Sequence, residues 1–328
     1  MNLRKALFAL VPLLVVFGAA ETALMASGWP KATASFEHNQ PYWVMDPGLR
    51  KKSLPHREEG SSFDVTTNDD GLRTESMPLD KPEGAWRVLS LGCSTTFGWG
   101  VWDSEAYPAR LESHAREKGL GGFEVVNGGQ PGYTSFQGLW LWSKALRSYQ
   151  PDLVLIGYVV QDARKAAYSD RSQAILQRDH RYFKDNLLYR SRAYLALRSL
   201  LGSIQIRAKE RGEGGSGGVY RVPPADFASN LRAFVAAVKD VGAVPVLFGY
   251  PLERSGYTTE HRRILKAAAD TLSVPHFDPQ ADMEKASRTG SYYFSRDRGH
   301  ANADGNDLIA RWVLDFLLSE GLAGEADG

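Results

Sequence analysis

The stretch Arg87-Val88-Leu89-Ser90-Leu91-Gly92-Cys93-Ser94-Thr95-Thr96-Phe97-Gly98 predicts how this chain folds. Residues 88–91 are mostly apolar, which is typical of a parallel strand that is covered on both faces. Gly92 permits a sharp turn, and the Ser-Thr-Thr that follows favours the start of a helix. Ser94 is therefore expected at the carboxyl end of a strand, where open α/β sheets bind their ligands, and near the free N–H groups of a helix N-terminus. A helix-capping role alone is the alternative for this serine.

A second polar stretch, Asp297-Arg298-Gly299-His300, lies roughly two hundred residues later, just before an amphipathic helical pattern. A serine that attacks a carbonyl group needs a base, and the base needs a group that orients it. An aspartate and a histidine in one tight turn can supply both functions. A surface or structural role is the alternative for His300.

Two further stretches between these ends combine a strand with polar or glycine-rich residues. Residues 125–135 read as a strand that ends in the glycine-rich loop Asn127-Gly128-Gly129-Gln130-Pro131-Gly132. Residues 151–162 read as another buried strand, and this one ends in the pair Gln161-Asp162. Because parallel strands place their carboxyl ends at one edge of a sheet, these loops are expected near Ser94.

The order of these four pieces resembles the SGNH/GDSL hydrolase family, over roughly residues 64 to 320. Gly92-Cys93-Ser94 is similar to the family's nucleophile block, and the loop from Asn127 to Gly132 is similar to its glycine block. Gln161-Asp162 occupies the place of the family's Asn-Asp, and Asp297-x-x-His300 matches its last block. The resemblance implies an α/β fold with three α/β/α layers around a mostly parallel, flavodoxin-like sheet.

The resemblance also implies a role for each of these residues. Ser94 would be the nucleophile, His300 the base and Asp297 the group that orients the histidine. The oxyanion hole would consist of the backbone N–H groups of Ser94 and Gly132 together with the side-chain amide of Gln161. Glycine suits position 132, because a side chain there could block the approach of the carbonyl oxygen.

Two positions depart from the family pattern. Gln161 stands where the family has a shorter asparagine, and an error of about 1 Å in placing a catalytic group can cost about 10²-fold in rate. Cys93 stands where the family has an aspartate that does not take part in the reaction. We expect Cys93 to be a small buried residue, and a cysteine nucleophile is the alternative.

Composition and periodicity limit the fold and the partners. The chain has 328 residues, 43% of them hydrophobic, which is enough for one large α/β domain with appendages. Its formal charge of +1 argues against a nucleic-acid partner, since a domain that binds nucleic acid is normally strongly basic. Strands are predicted near 87–91, 123–127, 152–159, 243–249 and 274–278. Helices are predicted near 104–118, 135–149, 225–241, 259–272 and 302–319. This alternation indicates a mostly parallel sheet with helices on both faces.

The first 28 residues predict a membrane anchor or a signal segment. Residues 6–20 are uncharged and largely apolar, and Arg4 and Lys5 precede them, which favours export of the chain that follows. Residues 18–20 are small, as at a signal-peptidase site, whereas apolar character resumes at Ala23 and favours an uncleaved anchor. Both alternatives place the domain of residues 86–320 outside the cytoplasm, either held at the membrane or secreted.

Two segments lie outside the regular alternation. Residues 29–85 read as an irregular extension against the main domain, in which Arg73 is expected to form a surface or interdomain salt bridge in preference to a substrate contact. Residues 163–223 read as an insertion rich in arginine, with a helical stretch near 188–209 and a glycine-rich linker. This insertion is either a lid beside Gln161 or a solvated surface segment, and its arginines would suit an anionic substrate or a phospholipid surface.

Three classes of function follow. The first is a hydrolase that cleaves a lipid, glycan or small acyl ester. The second is an O-acyltransferase or acetylesterase that acts on an extracellular polysaccharide with the same residues. The third is an inactive member that binds glycans, which the Gln161 departure motivates. The histidines are scattered and no phosphate-binding loop occurs, so neither a metal nor a cofactor is expected.

Overall fold

The computed structural model describes residues 3–27, 42–58, 61–166, 169–174, 191–194, 196–197 and 218–323. The chain divides into two compact units, one of residues 1–43 with 171–217 and one of residues 44–170 with 218–328. The predicted helical stretch near 188–209 and the glycine-rich linker lie largely outside the described residues. The choice between a lid and a surface insertion therefore stays open.

The first unit contains helix α1 (Leu3–Ser27). The carboxylate of Glu21 on this helix accepts hydrogen bonds from the backbone N–H groups of Arg192 and Ala193, at 2.6 and 2.8 Å. Among the described residues, no helix combines the length and apolar character needed to cross a bilayer, and the predicted membrane anchor is not supported. The expected location outside the cytoplasm stays a prediction.

The second unit is built on a five-stranded parallel sheet with helices on both faces. Its elements, in chain order, are β1 (Lys52–Pro55), β2 (Ser62–Val65), β3 (Trp86–Gly92), α2 (Ser94–Phe97), α3 (Tyr107–Glu117), β4 (Phe123–Asn127), α4 (Ser135–Lys144), β5 (Leu153–Gly157), β6 (Lys165–Ala166), β7 (Val219–Tyr220), α5 (Pro224–Lys239), β8 (Val244–Phe248), α6 (Thr259–Leu272), β9 (His276–Phe277), α7 (Gln280–Ala286) and α8 (Ala303–Ser319).

The sheet order is β4-β3-β5-β8-β9, which is the flavodoxin-like order 2-1-3-4-5 for these five strands. Every neighbouring pair is parallel, with Val88 opposite Val125 on one side and Leu153 on the other. The predicted α/β fold is therefore confirmed. The strand order reverses between β3 and β5, so the loops after these two strands lie at the point where such sheets bind ligands.

The buried strands hold the three layers together. Strand residues such as Val88, Leu155 and Val246 form one apolar cluster with residues of α3 and α8, whereas Tyr158 stacks on Phe234 of α5, with 5.5 Å between ring centroids. Residues on both faces of β3 and β5 are fully buried, which explains why these strands read as continuous apolar runs.

The segment before β3 is more ordered than expected. Strands β1 and β2 pair antiparallel, and Phe63 and Val65 of β2 pack in a small core cluster with Phe97, the last residue of α2. Residues 44–85 share the compact unit of the sheet. The two strands are only four residues long, so their alternation was too short to distinguish from an irregular extension.

Candidate active site

The turn after β3 presents Ser94 as the first residue of the short helix α2. Gly92 is needed at this turn because a Cβ atom there would collide with the side chain of Thr96. Cys93 is buried and its Sγ lies 3.3 Å from Thr95 Oγ1. The structure thus confirms Cys93 as a small buried residue.

The loop before α8 brings His300 to Ser94. His300 Nε2 lies 2.7 Å from Ser94 Oγ, and His300 Nδ1 lies 2.9 Å from Asp297 Oδ2. The His300 N–H also donates to the Asp297 carbonyl at 3.0 Å, so the loop closes on itself. Asn302 then caps α8 by accepting from the Gly305 N–H at 2.9 Å. The three residues predicted as nucleophile, base and orienting group therefore form one continuous chain of contacts.

A second histidine, His56, faces Asp297 from the segment that follows β1. Its Nε2 lies 3.5 Å from Asp297 Oδ2, and its side chain is 1% exposed. His56 Nδ1 accepts from the Glu58 N–H at 3.4 Å, so the hydrogen of the neutral ring is on Nε2, which makes no hydrogen bond to any described residue. Burial lowers the pKa of His56, against the attraction of Asp297, so the neutral ring is favoured.

Asp297 stays ionised in this environment. Burial by itself would raise its pKa, but the hydrogen bond from His300 and the electrostatic attraction of His300 and Arg57 outweigh burial and hold the pKa below its ordinary value. A carboxylate in this state can fix His300 with its hydrogen on Nδ1. His300 Nε2 is then left to accept a proton from Ser94.

The glycine-rich loop after β4 approaches Ser94 closely. Gly129 leaves no room for a side chain, because a Cβ atom there would collide with the backbone nitrogen of Phe97 in α2. Gly132 has φ +77°, a left-handed conformation that favours glycine, and a Cβ atom there would meet nothing within 4 Å. At Gly129 the backbone of the loop therefore packs directly on the backbone of α2, whereas the space beside Gly132 is open.

Gln161 lies in the turn after β5, but its side-chain oxygen is engaged. Gln161 Oε1 accepts from Arg221 Nη1 at 3.2 Å, and the same nitrogen donates to the Gly132 carbonyl at 2.7 Å. The next residue, Asp162, is fully buried and accepts from the N–H and the hydroxyl of Ser135, at 3.1 and 2.5 Å. Burial raises the pKa of Asp162 to about 7.

Arg73 is a structural residue of this region, although not at the surface. It pairs with Asp103 at 2.7 Å and donates to the carbonyls of Phe97, Gly98 and Val101 at 3.0, 2.5 and 2.7 Å. The expected salt bridge exists and no substrate contact is indicated. However, Arg73 is buried. Its guanidinium group supplies hydrogen bonds to buried carbonyl groups around the turn after α2, which need a donor from within the protein.

A cavity of about 450 Å³ lies beside Ser94 and His300. Ser94, Gly132, Asp297 and His300 line it, and Gln161 is not among its lining residues. Pro131, in the glycine-rich loop, also lines the cavity, and four lining residues lie outside the predicted blocks, namely Pro55, His56, Arg57 and Trp99. Three of them follow or end the unpredicted strand β1, so no motif spacing could have identified them.

The site has no arrangement that would hold a metal ion. Across the part of the chain that the structure describes, no group of three or more His, Cys, Asp or Glu side chains is placed to bind one. A hydroxyl, an imidazole and a carboxylate in contact are an arrangement that can activate a hydroxyl group for nucleophilic attack.

One comparison with a solved structure, at a TM-score of 0.50, agrees with this fold. A lipase/acylhydrolase from Enterococcus faecalis superposes with a TM-score of 0.50 at 16% identity, over 74% of this chain and 99% of that one. The acetylxylan esterase Axe2 from Geobacillus stearothermophilus gives 0.47 at 18% identity, over 72% of this chain and 96% of that one. The esterase EstA from Pseudoalteromonas sp. gives 0.47 at 15% identity, over 71% and 97%.

Sequence comparisons give the family. No curated protein matches the chain. Residues 90–308 match the sequence profile of the GDSL-like lipase/acylhydrolase family, and this match includes Ser94, Gly132, Gln161, Asp297 and His300. The chain therefore belongs to the GDSL-like lipase/acylhydrolase family of ester-cleaving enzymes.

Proposed function

We propose that this protein hydrolyses acyl esters through a covalent acyl-enzyme on Ser94. The observation that carries this proposal is the continuous contact from Ser94 Oγ to His300 Nε2, at 2.7 Å, and from His300 Nδ1 to Asp297, at 2.9 Å. Both distances are within hydrogen-bonding reach for a nucleophile, a base and an orienting carboxylate.

In the first half of the reaction, Ser94 Oγ attacks the ester carbonyl carbon while His300 Nε2 takes the hydroxyl proton. The carbonyl electron pair moves to the oxygen and forms a tetrahedral oxyanion. When this intermediate collapses, the bond to the alcohol oxygen breaks, and His300 returns the proton to the leaving alcohol. The acyl group remains on Ser94.

In the second half, water takes the place of the alcohol. His300 removes a proton from the water as its oxygen attacks the acyl-serine carbonyl carbon and forms a second tetrahedral intermediate. When this intermediate collapses, the bond to Ser94 Oγ breaks, His300 returns the proton to Ser94 Oγ, and the free acid is released. Asp297 stays ionised throughout, holds the imidazole ring in place and stabilises the imidazolium that forms in each half.

Backbone N–H groups at the cavity would stabilise the oxyanion. Ser94 and Gly132 both line the cavity, and no hydrogen bond within the described part of the chain engages the N–H of either residue. Two free N–H donors beside the nucleophile suit an oxyanion, which needs donors that are already in place when its charge develops. The amide of Gln161 would be the third donor.

The decisive experiment is mass spectrometry after treatment with a fluorophosphonate ester probe, which labels an activated serine. We expect labelling of Ser94 in the parent protein and in Ser143→Ala, a control at an exposed serine of α4. We expect none in Ser94→Ala and strongly reduced labelling in His300→Ala. A folded parent protein that is not labelled at Ser94 would overturn the proposal.

The acceptor is tested separately. Release of acid from a short-chain aryl ester in buffer alone supports hydrolysis. Acyl transfer that requires an added oligosaccharide would instead assign the chain as an O-acyltransferase. Glycan binding that survives Ser94→Ala, in a parent protein without ester turnover, would assign it as a binding protein.

A further inference from the structure

Arg221, which directly follows β7, joins the loop of Gly132 to the turn of Gln161. Its Nη1 donates to the Gly132 carbonyl at 2.7 Å and to Gln161 Oε1 at 3.2 Å. Its Nη2 donates to Gln137 Oε1 at 3.3 Å. Arg221 is not among the residues that line the cavity, so its contacts reach the site only through other residues.

The guanidinium group is itself fixed by Asp170. Arg221 Nε and Nη2 donate to the two carboxylate oxygens of Asp170 at 3.0 and 2.8 Å, a bidentate arrangement that sets the plane of the guanidinium. Asp170 is buried and also accepts from the Thr134 hydroxyl at 2.7 Å. The main chains are paired as well, because the Asp170 N–H donates to the Arg221 carbonyl at 2.8 Å.

The contact with Arg221 determines how the Gln161 amide is oriented. A guanidinium only donates, so the amide atom that faces Nη1 at 3.2 Å must be the oxygen. The Nε2 group, with its two hydrogens, is therefore on the other arm of the planar amide. With the oxygen held in this way, the extra methylene of glutamine does not leave the amide free to rotate.

The same nitrogen restrains Gly132. The Gly132 carbonyl points to Arg221, and the N–H of Tyr133, in the same peptide group, donates to the Gln130 carbonyl at 3.1 Å. Both ends of this peptide group are thus held. Gly132 has unusual backbone freedom, so these two contacts limit how far its own N–H can swing.

We propose that Arg221, held by Asp170, is a positioning residue that orients the Gln161 amide and the Gly132 N–H toward the oxyanion without contacting the substrate. The inference rests on the proposed ester hydrolysis. This role would explain how a glutamine can serve where the family has an asparagine. The Arg221 guanidinium group would restrain the amide of the longer glutamine side chain, which a shorter asparagine side chain restrains by itself.

The test begins with p-nitrophenyl acetate turnover by the full-length parent and Ser94→Ala. Turnover that depends on Ser94 establishes the hydrolysis, and its absence would overturn the proposed function before Arg221 is considered. Arg221→Ala is then expected to lower kcat by about 10²-fold, the cost of misplacing a catalytic group by about 1 Å. KM should stay within about twofold, because an oxyanion exists only in the transition state.

Three controls separate positioning from a general loss of structure. Arg232→Ala, at an exposed arginine of α5, should leave kcat unchanged. Guanidinium ion at millimolar concentration should restore part of the kcat of Arg221→Ala, whereas methylammonium should not. Arg221→Lys keeps a charge beside Asp170 and should remain folded, but its single nitrogen cannot serve both acceptors, so we expect an intermediate kcat.

A double-mutant cycle decides whether the effect passes through Gln161. Residues that act through one another give non-additive losses, so Arg221→Lys should lower kcat less in a Gln161→Ala background than in the parent. Folded Arg221 variants with unchanged kcat, or losses of equal size in the two backgrounds, would overturn the inference while leaving the Ser94 chemistry intact.

Discussion

Replacing Arg73 by methionine should destabilise the protein strongly. The Arg73 side chain is 1% exposed, pairs with Asp103 and donates to four backbone carbonyls, those of Asp64, Phe97, Gly98 and Val101. The guanidinium carbon lies over the rings of Phe63 and Phe97, at 5.6 and 4.9 Å from the ring centroids. Methionine has a similar length and can pack against these rings, but it offers no donor. The change therefore removes the hydrogen bonds and leaves most of the packing in place.

The magnitude follows from these contacts. A buried acceptor without a partner costs about 1–3 kcal/mol. The carbonyls of Phe97 and Gly98 keep weaker donors at 3.4 Å, namely Asn127 Nδ2 and the Val101 N–H, so the loss falls mainly on the carbonyls of Asp64 and Val101 and amounts to about 2–6 kcal/mol. Two effects reduce this loss. The variant no longer carries the desolvation penalty of the buried guanidinium group, which is several kcal/mol. Asp103 is 38% exposed, so water can solvate its carboxylate once Arg73 is gone. The net loss in the free energy of unfolding should therefore be about 2–4 kcal/mol, which comes mainly from the carbonyls that lose their donor.

Urea unfolding at pH 7, followed by tryptophan fluorescence and circular dichroism, measures this loss. Arg232→Met is the matched control at an exposed arginine and should change the unfolding free energy by less than about 0.5 kcal/mol. Arg73→Lys should fall between the two, because one ammonium group can serve only some of the carbonyls. A loss below about 1 kcal/mol in Arg73→Met would refute the reasoning, since such carbonyls without partners cannot be that inexpensive.

Three other changes have defined outcomes. Asp297→Asn should lower kcat by about 10⁴-fold with a folded structure, because an asparagine no longer selects the tautomer of His300 that can accept a proton. The pKa of Asp297 is lowered in the folded protein, so its charge stabilises the fold above its ordinary pKa of 3.8, and this contribution is lost as the pH falls. In urea titrations, the unfolding free energy of the variant should therefore fall less steeply toward acid pH than that of the parent. Asp162→Asn should show the opposite pH dependence, because the folded pKa of Asp162, about 7, lies above its ordinary value of 3.8. The parent therefore loses stability as the pH rises from about 4 to 7. Over that range the unfolding free energy of the variant in urea should rise relative to the parent by up to about 4 kcal/mol. Gly129→Ala should cost about 3 kcal/mol, the upper range for overpacking, because its Cβ would collide with the Phe97 nitrogen, whereas Gly256→Ala has open space and should be nearly neutral when both are measured by thermal unfolding. If the two alanine variants melted alike, or if the pH profiles of the two asparagine variants were parallel to that of the parent, the corresponding argument would fail.

Much of the fold could be predicted because the decisive signals are local. Strands β3, β4, β5 and β8 are buried on both faces and carry unbroken apolar runs, so their positions agree with prediction to within about two residues. Ser94 and His300 were identified because each follows a turn in a recognisable block. The hairpin of β1 and β2 was not predicted, since four residues per strand give too little periodicity.

The supporting residues of the site could not be identified in the same way. His56 and Arg221 contact residues that are distant in sequence, and 89 positions separate Arg221 from Gly132. Nothing in their local sequence distinguishes them from surface residues of the same type. Their roles depend on which carbonyls and carboxylates the folded chain leaves without a partner, and that property is tertiary.

The separation of Ser94 from His300 has a consequence for biosynthesis. The two residues in contact are 206 positions apart, and domains are translated from the amino terminus. A ribosome releases β3 and the serine turn long before the loop of residues 297–300 exists. A partly synthesised chain therefore carries Ser94 without its contact to His300, and the site proposed for ester hydrolysis is assembled only when nearly the whole second unit has been made.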